Sequence, residues 1–98
     1  MKSITVKGTF IGAINNHCRL DIYRPNPDSY DFSKQYRRSF NEVIKDLGAG
    51  TSYNLDMTGY TTGKFRLQVS GNIQKPIDKT YDNEFAPGFR IKISEEAQ

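Results

Sequence analysis

The chain has 98 residues and a formal net charge of +3, which leaves room for one domain (1–98) and one modest core. Its apolar fraction is 36%, low for a globular domain, and six Tyr and six Phe supply bulk instead, a balance that suits strands better than helices. The single cysteine, Cys18, excludes an internal disulfide framework, and no apolar run is long enough to cross a bilayer as a helix.

Residues 3–14 alternate: Ile4, Val6, Phe10 and Ile14 share one phase, with Ser3, Thr5, Lys7 and Thr9 on the other. Period two predicts a half-buried strand, and Gly8 and Gly12 allow a bulge or bend. Asn15-Asn16 signals a turn, after which Cys18, Leu20 and Ile22 alternate with Arg19, Asp21 and Tyr23. The two segments together predict a hairpin. The opening residues hold no apolar stretch of signal-peptide length, so a cytoplasmic chain is expected, with a domain of a larger secreted or virion protein as the other reading.

Residues 24–34 carry Pro25, Pro27 and several turn formers, which predicts a long surface loop. Residues 36–47 support two readings. Phe40, Val43, Ile44 and Leu47 have helical spacing, Ser39 and Glu42 form a capping box, and Gly48 closes the helix. As a strand, Phe40 and Ile44 share a phase with Glu42 between them, and the strand patterns downstream favour this reading. One short helix near residues 39–47 is the alternative.

Tyr53, Leu55 and Met57 alternate with Asn54 and Asp56, and Phe65, Leu67 and Val69 alternate with Arg66 and Gln68. Between them, Gly59-Tyr60-Thr61-Thr62-Gly63 predicts a hairpin connection with two glycines available for positive φ. Residues 71–88 read as irregular, and Phe89, Ile91 and Ile93 against Arg90 and Lys92 give a last strand. Several short strands separated by turn signals predict an all-β domain, a small antiparallel β-sandwich.

Leu47-Gly48-Ala49-Gly50-Thr51-Ser52-Tyr53, followed by Leu55 and Met57, resembles a segment of fibronectin type III domains. There a Leu precedes a Pro-Gly-Thr-x-Tyr turn, and the Tyr opens a strand with its hydroxyl bonded back to nearby backbone. Leu47, Thr51 and Tyr53 match by spacing, Ala49 stands where the family has Pro, and no Trp is present. The resemblance implies an immunoglobulin-like or transthyretin-like sandwich and carries no activity.

No catalytic constellation emerges, so no enzyme, cofactor or metal is expected. His17 and Cys18 are adjacent, and strand neighbours face opposite ways, which makes Cys18 a core residue rather than half of a dyad. Gly59 through Lys64 is too short for a phosphate loop and lies between two strands. Asp78, Asp82, Asn83 and Glu84 match no calcium-loop spacing, and Asp28 and Asp31 do not form a convincing acid–base pair. The segment 23–38 interleaves aromatic and basic residues, and Tyr23, Arg24, Tyr30, Lys34, Tyr36, Arg37 and Arg38 are the candidate ligand or partner residues. The expected function is a non-catalytic module that binds a protein partner or self-assembles through an edge strand, without membrane insertion. Binding of single-stranded nucleic acid or glycan through 23–38 is the alternative.

Overall fold

The computed structural model describes residues 2–12, 14–24 and 31–95. The described residues contain no helix and seven strands: β1 (Lys2–Ile11), β2 (Asn16–Tyr23), β3 (Phe32–Tyr36), β4 (Phe40–Leu47), β5 (Ser52–Gly71), β6 (Ile77–Phe85) and β7 (Gly88–Lys92). They form one antiparallel sheet, so the all-β, antiparallel expectation holds.

β5 is the spine. β1 and β2 lie end to end along one side of it, with Ile4 to Ile11 opposite Gly71 to Lys64 and Asn16 to Tyr23 opposite Thr61 to Asn54. They are successive parts of one long crooked path, so the expected hairpin between them does not form. β6 and β7 line the other side in the same way: Ile77 faces Val69, Phe85 faces Gly59, and Gly88 to Lys92 face Asp56 to Ser52. β3 and β4 flank β2 and β1 on the outside. Four long paths result, in the order β3/β4, β1/β2, β5, β6/β7.

A straight strand of 20 residues would run about 66 Å, yet the longest dimension is 41 Å. β5 therefore bends, and the sheet curls with it. Ile93 records the curl. Its N–H donates to Thr51 O just before β5, while it bridges to Ile73 just after β5. Ser94 N also donates to Asn72 O, and Asn72 N to Ser3 O. Both ends of β5 thus meet at one residue.

The bend sits at Gly59–Gly63, where the sequence suggests a hairpin. No reversal occurs there: Tyr53, Leu55, Met57, Thr61, Phe65, Leu67 and Val69 keep one inward phase along the whole strand. Gly59 and Gly63 occupy that same phase, and neither has positive φ. A Cβ on Gly59 would collide with the carbonyl oxygen of His17, and one on Gly63 with that of Ile11. Their role is close backbone approach at a sheet corner. Opposite the corner, Gly12, Ile14 and Asn15 leave the ladder, with Gly12 at φ 63. Thr62 Oγ1 accepts from Ile14 N and Asn15 N at 3.0 and 3.3 Å, and Thr62 N donates to Asn15 O. Ile14, expected on the core phase, is consequently 89% exposed.

Residues 40–47 form a strand, and the short helix is absent. The helical spacing of Phe40, Ile44 and Leu47 has another origin. Phe40, Glu42 and Ile44 point inward at period two, and an extra residue in the register between Ile44 and Leu47 then returns Leu47 to the core. Asp46 takes φ 63 there, the mark of a bulge.

Two strands lie where the sequence reads as loop. β3 takes in Phe32–Lys34, and β6 spans Ile77–Phe85 within the stretch read as irregular. Both are edges with a lysine on the inward phase. Leu20 faces Lys34 and Leu67 faces Lys79, which interrupts the apolar alternation.

One core lies inside the curl, drawing on every strand. A chain of rings crosses it at the corner. Phe65 stacks on Phe85 at 4.8 Å and packs tilted on Phe10 at 4.8 Å, while Phe40 stacks on Tyr36 at 3.7 Å. Gly8 leaves the space that the Phe40 ring fills. Tyr53 opens β5, is buried, and accepts a hydrogen bond from Gly48 N at 3.0 Å.

Candidate functional site

The segment 23–38 does not assemble into one face. Tyr23 lies on the outer surface, where its hydroxyl donates to Asp56 Oδ2 at 2.7 Å. Arg24 pairs with Asp31 at 3.1 Å beside the loop. Tyr30 and Asp28 lie outside the described residues. Lys34 and Tyr36 take the inward phase, because β3 pairs Phe32, Lys34 and Tyr36 with Ile22, Leu20 and Cys18, and there Tyr36 is buried while Lys34 stays exposed at the edge. Arg37 and Arg38 are exposed at the corner between β3 and β4.

Lys34 and Tyr36 instead close the β3/β4 edge. The Lys34 ammonium reaches Glu42 at 2.9 Å, an ion pair joining the two halves of that edge. It also sits 5.6 Å from the centroid of the Tyr36 ring. The hydrogen bond from Lys34 lowers the Glu42 pKa, although burial opposes the shift. The Tyr36 hydroxyl is buried without a well-formed hydrogen bond. Burial first, and the adjacent Glu42 carboxylate second, push its pKa upward.

The β6/β7 edge is built from the same inward phases, but among the described residues no ion pair joins its two strands. Ile77 and Tyr81 on β6 and Phe89 on β7 pack against the core from its margin and stay half-buried. Lys79, the counterpart of Lys34, has no ion pair among the described residues. At the end of this edge, where residues 74–77 fold back over β7, a cleft of about 380 Å³ opens. Ile77, Phe89 and Ile91 contribute its apolar side and Lys75, Arg90 and Lys92 its charge. The alternation of the last strand already shows two faces, one apolar and one basic. The contribution of residues 74–77 is visible only in the curled sheet.

A second, shallower hollow of about 410 Å³ lies on the outer face at the corner, lined by Thr58, Tyr60, Glu84 and Phe85 among others. Tyr60 is 49% exposed and stacks on His17 at 6.1 Å, and the His17 ring shares a hydrogen bond of 2.9 Å with Gln35. Cys18, beside it in sequence, is fully buried, and burial pushes its thiol up to about 12. Two of the late segment's acids are engaged elsewhere. Asp78 takes a two-pronged pair from Arg66 at 2.7 and 3.0 Å, and Asp82 pairs with Lys64 at 2.8 Å. Among the described residues no three His, Cys, Asp or Glu side chains gather as a metal site, and no helix is long and apolar enough to cross a membrane.

No family model, no curated protein and no solved structure matches the chain. Functional assignment therefore rests on this geometry alone.

Proposed function

We propose that the chain is a non-catalytic module that binds a protein partner, or a second copy of itself, through the free β6/β7 edge of its curled sheet. One observation carries the reading: the two edges differ. The Lys34–Glu42 ion pair ties the two strands of the β3/β4 edge together, whereas among the described residues no ion pair joins β6 to β7, along which Ile77, Tyr81 and Phe89 stand half-buried. Edges with partly exposed apolar side chains are common places for a chain to add. An immunoglobulin-like character, supported by the Leu47–Tyr53 likeness and the Tyr53–Gly48 hydrogen bond, belongs to the same proposal, as does placement in the cytoplasm. The alternative through residues 23–38 draws less support, because Lys34 and Tyr36 are spent on the edge closure.

The test is mass measurement by light scattering over a range of concentrations, together with affinity capture from source cells. The expected result is a defined oligomer or one retained partner, lost in Ile77→Lys while circular dichroism shows that the variant still folds. A monomer at every concentration with no retained partner, or a complex indifferent to Ile77→Lys, would overturn the proposal.

A further inference from the structure

The charge around the β6/β7 cleft narrows the kind of partner. Three of its lining residues, Lys75, Arg90 and Lys92, are cations, and none of its lining residues is acidic. None of the three has an ion pair among the described residues. The nearest carboxylate in sequence, Asp78, lies opposite Gln68 on the outer face and is held by Arg66. Elsewhere, Arg24, Lys34, Lys64 and Arg66 each have an acid in contact, while Lys7, Arg37, Arg38, Lys45 and Lys79, like the three cleft cations, have none among the described residues. The cleft is therefore a place where positive charge stays uncompensated next to half-buried apolar surface. Along β7, Phe89 and Ile91 point inward and Arg90 and Lys92 outward, so apolar and cationic positions alternate along it.

We infer that this cleft receives an extended acidic segment of a partner protein. The segment seats an apolar side chain against Ile77 and Phe89 and sets carboxylates against Lys75, Arg90 and Lys92. Apolar burial supplies the anchor, and charge complementarity supplies steering and partner choice. The inference rests on the proposed binding role of the β6/β7 edge and adds the chemistry of the occupant. A bare polyanion matches the cations but leaves the apolar side uncovered, and an uncharged apolar strand does the reverse. The alternation of β7 favours a chain that alternates in the same way.

The probe is a fluorescein-labelled peptide of alternating Leu and Glu, compared with its Leu and Lys counterpart by fluorescence anisotropy on the intact chain. The Leu–Glu peptide is expected to bind, to weaken as salt rises, and to outcompete heparin at equal charge. The double variant Arg90→Glu/Lys92→Glu alters only exposed side chains and should keep the fold. It is expected to weaken the Leu–Glu peptide about tenfold and to reverse the preference toward the Leu–Lys peptide. Equal binding of the two peptides, or heparin binding as tightly as the Leu–Glu peptide, would overturn the inference. If the complex probed with Ile77→Lys forms and is unchanged by Arg90→Glu/Lys92→Glu, the binding role stands and the acidic occupant is wrong.

Discussion

A side chain at Gly59 has nowhere to go. A Cβ built there lies 2.7 Å from Cys18 Cα and 2.8 Å from Cys18 Cβ, and closer still to the His17 carbonyl oxygen. These atoms belong to β2, which is paired with β5 through this point, so they yield only if the ladder opens. Overpacking of this kind costs about 1–3 kcal/mol, and each ladder hydrogen bond displaced adds about 1 kcal/mol. Gly59→Ala should therefore lose about 3 kcal/mol, a large part of the roughly 5–15 kcal/mol that holds a domain together. Gly59→Asn should lose more, because the larger side chain meets the same wall. That ordering is the discriminating result. At a turn glycine with positive φ, Asn is tolerated better than Ala. Gly12, at φ 63 with nothing within 4 Å of its virtual Cβ, is the control, and Gly12→Asn should cost about 1 kcal/mol or less. Urea melts followed by far-ultraviolet circular dichroism give the three values. Gly59→Asn as stable as the parent, or more stable than Gly59→Ala, would refute the corner.

Three further outcomes concern the core. Tyr53→Phe removes the acceptor of the Gly48 N–H and should cost about 1–2 kcal/mol in the same melts; an unchanged midpoint would show that water replaces the bond at no cost. Phe65→Ala empties the centre of the ring chain, where Phe65 is fully buried, and should cost about 3–5 kcal/mol; a loss below about 1 kcal/mol would place that ring at the surface. The Cys18 thiol, raised from 9.0 to about 12, holds its proton in the folded state after the unfolded chain has released its own. The stability it contributes is full below pH 9 and is lost as the pH climbs toward 12, by up to about 1.4 kcal/mol per pH unit. Tyr36, also shifted upward, acts in the same direction. Cys18→Ala should flatten the alkaline slope, and an identical slope would mean that Cys18 is solvated in the folded chain.

Much of the inward-facing set was legible from period two. Ile4, Val6, Cys18, Leu20, Ile22, Tyr53, Leu55, Met57, Phe65, Leu67, Val69 and Ile91 all fall where alternation places them, because a sheet with one buried face enforces that phase. Connectivity was not legible. A strand that bends through Gly59 and Gly63 and a hairpin that turns there share one pattern, and only the close approach of β2 distinguishes them. The bulge at Asp46 gave β4 a helical spacing that competed with the favoured strand reading. β6 escaped because an edge strand carries charge on both faces. The candidate site suffered from the same blindness. Tyr36 and Lys34 look like ligand groups when interleaved with arginines, but the pairing of β3 with β2 puts them on the inward phase, and the basic cleft needs residues 74–77 and 89–92 to meet through the curl.

Cross-strand backbone proton contacts in a nuclear magnetic resonance spectrum test the continuous, folded-over spine most directly. Contacts of Leu20 with Met57, Val6 with Val69, Asn54 with Arg90 and Gln68 with Asp78 should all appear. A ladder of contacts joining residues 53–57 directly to residues 65–69 would contradict it.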